Sequence, residues 1–263
     1  MDHLLRATAA AEARHFWFRG FRAFVTPLLR HAAANRSRGG MARLLDCGCG
    51  TGGNLALLNQ FGRAYGFDLS ETGVRIGRQA GRTLVVRARV DAAPFPSGSF
   101  DVVTSFDVLY SLDDRTERAA AAEMFRLLTP GGWAIVNVAA MEILRGDHSV
   151  LSHEVRRYNR DDLRRCLTGA GFAIERITYT NASLFLPMLL ARTLQRRRGL
   201  REEHEAQQEI GVPPAPVNEL LTALLWTESL YLRHFNAPVG SSLLCLARKP
   251  VPRTVSPAAA VRI

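Results

Sequence analysis

The chain has 263 residues, 47% of them apolar and 22% charged, enough to bury the core of one large α/β domain. That composition excludes a chain disordered along its whole length, and no window reaches the roughly 18 uninterrupted apolar residues that a membrane span requires. The net charge of +10 rests on 34 basic residues, of which Lys249 is the only lysine. A basic surface favours acidic small molecules, anionic headgroups or nucleic acid without choosing among them.

In chain order, residues 3–35 read as helical, with Gly20 and Pro27 predicting a break and restart. Glu12, Arg14 and His15 stand where a signal peptide would carry its apolar stretch, so the expectation is a cytoplasmic protein. After a polar loop at 35–40, short apolar runs alternate with helical patterns. Strands are predicted over 43–46, 64–68, 83–87, 101–105 and 133–138, with helices over 53–60, 71–80 and 115–128 between them. Pro130-Gly131-Gly132 reads as a turn leading into the fifth strand. A helix over 161–170, a strand over 172–179 and a last strand over 241–247 follow. Between those two strands, 183–198 and 217–235 read as apolar helices, with an arginine cluster at Arg192, Arg196, Arg197, Arg198 and Arg201.

This alternation predicts an α/β fold: a Rossmann-like, doubly wound, mostly parallel seven-stranded sheet. Its expected parts are an N-terminal helical lid (1–40), a cofactor-binding core (41–180), a helical insert (181–240), a final core strand (241–249) and a flexible tail (250–263). Cys47, Cys49, Cys166 and Cys245 have neither disulfide-scaffold nor zinc-ligand spacing, so no metal is expected.

The most informative stretch is Asp46-Cys47-Gly48-Cys49-Gly50-Thr51-Gly52-Gly53. Glycines there allow a sharp strand-to-helix turn and a close approach of backbone to ligand. They satisfy the dinucleotide pattern G-x-G-x-x-G and the pattern G-x-G-x-G equally well. Asp46 separates the two, because a carboxylate at the strand end repels a pyrophosphate and attracts an ammonium or sulfonium. The charge sign favours S-adenosyl-L-methionine over a nicotinamide dinucleotide.

With that loop in place, residues 41–138, and more weakly on to 180, resemble the class I S-adenosylmethionine-dependent methyltransferases of the type-11 group. The resemblance implies that Asp46, Gly48, Gly50 and Gly52 contact the methionine moiety. It implies that Asp68, followed by Leu69, receives the ribose hydroxyls, as suits an acceptor-only group with two oxygens. Asp91 and Ala92 match the adenine-reading motif. Relatives often fold an N-terminal helix over the cofactor, which would let Trp17 and Arg22 cover the sulfonium or pair with the methionine carboxylate. The alternative is a helix that packs its aromatics on the sheet.

Acceptors in this fold sit above the C-terminal ends of the strands. Many relatives carry Glu-His where this chain has Tyr110-Ser111, which removes that histidine. After the fifth strand, His153 in His153-Glu154-Val155-Arg156-Arg157-Tyr158 is the first candidate base, followed by His148. The expected reaction is O-methylation of a small-molecule or lipid- or sugar-linked acceptor. Methylation of RNA or protein and a non-catalytic binding role are the alternatives. Nucleic acid is disfavoured because no amino-methylation motif and no RNA-binding module is visible. For the insert three roles compete, a cap over an apolar acceptor, a homodimer surface and a peripheral membrane contact, and the cap is favoured because apolar helices shape pockets in many enzymes.

Overall fold

The computed structural model describes residues 5, 8, 9, 11–199 and 211–252, with the side chains of 148 and 151 outside the description. The remainder of the expected lid, residues 200–210 of the expected insert (Arg201 included) and residues 253–263 of the expected tail lie outside the described residues.

The predicted strands pair into one seven-stranded sheet of order β3-β2-β1-β4-β5-β7-β6. They are β1 (Arg43–Cys47), β2 (Arg63–Asp68), β3 (Val85–Arg87), β4 (Phe100–Phe106), β5 (Leu128–Ala139), β6 (Ala173–Thr180) and β7 (Ser242–Arg248). β7 alone runs antiparallel, between β5 and β6. β4 is buried along its whole length, as expected of a parallel strand covered on both faces. The predicted Pro-Gly turn does not precede β5 but belongs to it. Leu128 already pairs with Phe100, and the register shifts before Val102 meets Trp133. Gly131, at φ +78°, absorbs the irregularity.

Helix α1 (Phe16–Ala34) runs unbroken through both residues that predicted an interruption. Thr26 donates its hydroxyl to the Arg22 carbonyl, supporting the turn that Pro27 weakens. Gly20 is there for contact: a Cβ on it would stand 2.4 Å from Leu225 Cδ1 and 2.8 Å from Leu225 Cβ. Phe24, Val25 and Leu29 bury α1 against the sheet, where Phe21 meets Phe106 edge-on at 4.9 Å. Trp133 Nε1 donates to Asn35 O at 3.1 Å and pins the helix end to the middle of β5.

On the sheet and its loops lie α2 (Leu55–Leu58), α3 (Glu71–Gln79), α4 (Asp114–Leu127), α5 (Asp147–Leu151) and α6 (Arg160–Gly169). Their starts follow from side-chain caps: Ser70 accepts from Gly73 N, Asp113 from Thr116 N, and Asn159 forms a capping box with Asp162. The excursion between β6 and β7 supplies α7 (Phe185–Arg198) and α8 (Ala215–Tyr231). α8 lies along α1, and Glu228 ties it to the 182–184 turn by accepting from Ala182 N and Ser183 N at 2.9 and 3.0 Å. Among the described residues no helix is long and apolar enough to cross a membrane.

Candidate active site at the strand C-termini

The strand order reverses between β1 and β4, and a crevice opens at such a point above the strand ends. The loop after β1 turns through Gly48, Gly50 and Gly52 at φ +76°, +56° and +78°, a conformation only glycine adopts without strain. Gly48 N and Cys49 N both donate to Phe67 O at 2.9 Å, fixing the loop to the end of β2. The loops after β1 and β4 touch, since a Cβ on Gly48 would stand 2.5 Å from Val108 Cγ2.

Two expected acids meet at this loop. Asp46 is 1% exposed and accepts the Thr104 hydroxyl at 2.7 Å. Burial raises its carboxyl to about 7, against the lowering effect of that bond, and the charge of Asp68 adds to the rise. Asp68, half-buried, accepts Gly50 N at 2.7 Å through one oxygen and Ser70 N at 2.8 Å through the other. Neither acid has a cationic partner among the described residues. Leu69, beside Asp68, is exposed.

The expected adenine reader is turned on itself. Asp91 takes a two-pronged bond from Arg89 at 2.7 and 2.8 Å, which lowers its carboxyl, while Ala92 N donates to Arg89 O at 3.2 Å. Trp17 and Arg22 both lie half-buried on α1, which packs on the sheet. It is the segment before α1 that approaches the glycine loop. Leu5 Cδ2 lies 3.4 Å from where a Cβ on Gly50 would stand, and Glu12 pairs with Arg82 at 3.2 Å. Arg82 in turn donates to Thr51 O at 2.7 Å.

Beyond β4 and β5 the structure assembles groups that sequence reasoning passed over. Asp107 follows β4 with φ +60°, a rare conformation for a non-glycine residue. Asn137, on β5, donates to Asp107 Oδ1 at 2.9 Å and accepts from Asp107 N through its carbonyl, also at 2.9 Å. The side chain is exposed, yet enough protein surrounds the carboxyl to raise it to about 7. Desolvation is the main cause; the Asn137 bond and Arg157 oppose it, and Glu154 adds to it. The buried Tyr110 phenol is pushed well up by burial and by the charges of Asp107 and Glu154. Glu154 and Arg157 form a buried bidentate pair at 2.8 and 3.1 Å.

His153 sits exposed on a turn at φ +51°. His148 lies in α5, and its side chain is outside the description. Three further left-handed non-glycine residues, Asp107, Met141 and Asn181, follow β4, β5 and β6 at the same edge of the sheet. A cavity of about 260 Å³ lies elsewhere, between α1, α8 and the strands β6 and β7, and does not include the glycine loop. No cluster of three metal-ligating side chains occurs among the described residues.

Residues 45–136 match the family described as a methyltransferase domain. A probable S-adenosylmethionine-dependent methyltransferase of Mycolicibacterium smegmatis is 29% identical over 213 residues, covering 80% of this chain and 77% of that one. A ubiquinone/menaquinone biosynthesis C-methyltransferase UbiE of Shewanella pealeana is 26% identical over 183 residues, 55% of this chain and 70% of the relative. Among solved structures, a possible histamine N-methyltransferase of Thermotoga maritima superimposes with a TM-score of 0.55 at 19% identity, covering 95% of this chain and all of that one. Over residues 45–136 the chain carries the methyltransferase-domain match, and its likeness to S-adenosylmethionine-dependent methyltransferases indicates an enzyme.

Proposed function

We propose that the glycine loop and its acids bind S-adenosylmethionine, and that the chain methylates a hydroxyl of a small or lipid-like acceptor held over Asp107. The observation that carries this reading is the pair Asp46 and Asp68, two carboxylates at one loop with no cationic partner among the described residues. A ligand bearing an ammonium and a sulfonium brings the charge that the loop lacks. Each Asp68 oxygen accepts one backbone N–H and keeps a lone pair for a ribose hydroxyl. Exposed Leu69 offers apolar surface beside it. For Asp91 and Ala92 to read an adenine, the 89–92 turn must release Arg89. Arg22 has no acidic partner among the described residues and suits the methionine carboxylate, with Trp17 beside it on α1.

When bound, S-adenosylmethionine supplies an electrophilic methyl group on a positively charged sulfur. The chain's own part is to hold the acceptor and take its proton. Asp107 is the group placed for that: at about 7 its carboxyl is ionised enough to accept a proton near neutral pH and basic enough to help. Asn137 fixes its orientation, and the strained backbone holds it at the crevice. His153, exposed on its turn, is the second candidate.

The test supplies methyl-labelled S-adenosylmethionine and a whole extract, then partitions the label. Label in the organic phase or in small polar products is the expected outcome; precipitable label would move the acceptor to macromolecules. Asp107→Asn should lower turnover by about 10²–10⁴-fold while leaving cofactor binding unchanged. The wild-type rate should rise with pH through about 7. Full turnover in Asp107→Asn together with its loss in His153→Gln would transfer the base to His153. Failure of the wild type to bind the cofactor would sink the whole reading.

A further inference from the structure

We propose that the outer face of α7, with the adjoining turn Glu142–Leu144, docks on an anionic lipid surface. α7 buries none of its residues. Its inner side rests on the protein through Met188, which packs against the core, and through Arg196, which donates to Ile143 O and to Arg145 O. Its outer side is Leu186, Leu190 and Leu194, spaced four apart on one helical row and 72%, 64% and 56% exposed. Ile143, on the turn against which α7 packs, is 51% exposed. Single exposed leucines need no explanation, but a row of three beside an exposed isoleucine marks an interaction surface. Among the described residues, the leucines of that row take no part in the hydrophobic core.

Charge decides what covers it. The last turn of α7 carries Arg196, Arg197 and Arg198. Arg198 is paired with Asp147 at 2.7 Å. Arg196 bonds only to carbonyl and hydroxyl oxygens, and Arg197 has no ion pair among the described residues. Among the described residues, then, two guanidinium groups without an acidic partner end a leucine row. That pairing suits acyl chains under a layer of negative headgroups. A second copy of the chain is a poorer fit, because each copy brings its own net charge of +10, whereas an anionic bilayer removes that repulsion. The turn Glu142–Leu144 follows β5, the strand that carries Asn137, so docking would set the acceptor crevice beside the bilayer. That last consequence rests on the proposed function; docking itself does not.

The experiment is co-sedimentation of the full chain with vesicles of phosphatidylcholine, with and without phosphatidylglycerol, without any turnover. Binding should require phosphatidylglycerol and weaken with salt. Leu190→Glu and Arg197→Glu should each lower partitioning by about fivefold or more, with melting temperature and cofactor binding unchanged. Absence of binding to anionic vesicles, or equal binding by wild type and both variants, would overturn the proposal. So would a concentration-dependent dimer, seen by sedimentation equilibrium, that Leu190→Glu dissolves, since the face would then belong to a second copy. Because no methyl transfer is read, failure here leaves the enzymatic reading standing, and the reverse also holds.

Discussion

Asp46 is ionised at a cost. Its folded carboxyl lies near 7, above the ordinary carboxylate value of 3.8, so the folded state holds its proton more tightly than the unfolded chain does. Stability is therefore greatest below the unfolded value and declines as pH rises from about 4 to about 7, by at most about 4 kcal/mol for a shift of this size. A cationic ligand reverses the preference by favouring the ionised acid. The affinity for S-adenosylmethionine should accordingly be about tenfold higher at pH 8 than at pH 6, and Asp46→Asn should be weaker and flat across that range. Titration calorimetry at the two pH values reads both. The Glu154–Arg157 pair makes the opposite kind of prediction, because both side chains are buried and each completes the other. Glu154→Ala strands a guanidinium held only by the Ala140 carbonyl, and should cost about 3–5 kcal/mol in urea unfolding.

At the level of elements, α1 and α8 meet at Gly20, whose missing side chain admits Leu225. Gly20→Ala gains about 1 kcal/mol of helix propensity but forces a methyl into Leu225, and overpacking costs about 1–3 kcal/mol. The expected net effect is destabilisation of up to about 2 kcal/mol, with Leu225→Ala in the same chain recovering part of the Gly20→Ala loss in thermal unfolding. Gly20 also shows why part of the fold was hidden in the sequence. Read locally, a glycine and a proline predict a helix break; the contact that explains the glycine comes from a residue far along the chain. The strands were legible because apolar runs bounded by Gly, Pro and Asp carry their own signal, and the ends differ from expectation by one or two residues at most positions. β5 departs furthest, since an irregular pairing with β4 absorbs its Pro-Gly segment. The glycine loop and its acids were legible for the same local reason. Asp107 was not: in sequence it is one acid after a strand, and its carboxyl is raised by the protein packed around it and by Glu154, against Asn137 and Arg157, all of which only the fold brings near.

Across the whole molecule, the segment before α1 and the glycine loop are closed on each other by a few side chains. α1 is fixed to the sheet through its buried row and to α8 through Leu225, so the segment before it has little freedom at its C-terminal end. At its other end Leu5 lies against Gly50, and Glu12 reaches Arg82, which also holds Thr51 O. The carboxyl of Glu12 occupies the space beside Gly53 that a side chain there would fill. A ligand entering over Gly50 must therefore move this segment, and the Glu12–Arg82 pair resists that motion. Partly exposed pairs of this kind contribute about 1 kcal/mol or less to global stability, so Arg82→Ala should leave the melting temperature nearly unchanged. Its effect should fall on exchange instead. The rate at which bound S-adenosylmethionine leaves should rise by about threefold to tenfold, the range that the loss of about 1 kcal/mol of local closure implies. Stopped-flow displacement with S-adenosylhomocysteine, followed by Trp17 fluorescence, measures that rate. Amide exchange around Glu12 and Thr51 should quicken in the same variant while β4 and β5 keep their protection, because those strands carry the global stability and the segment before α1 does not.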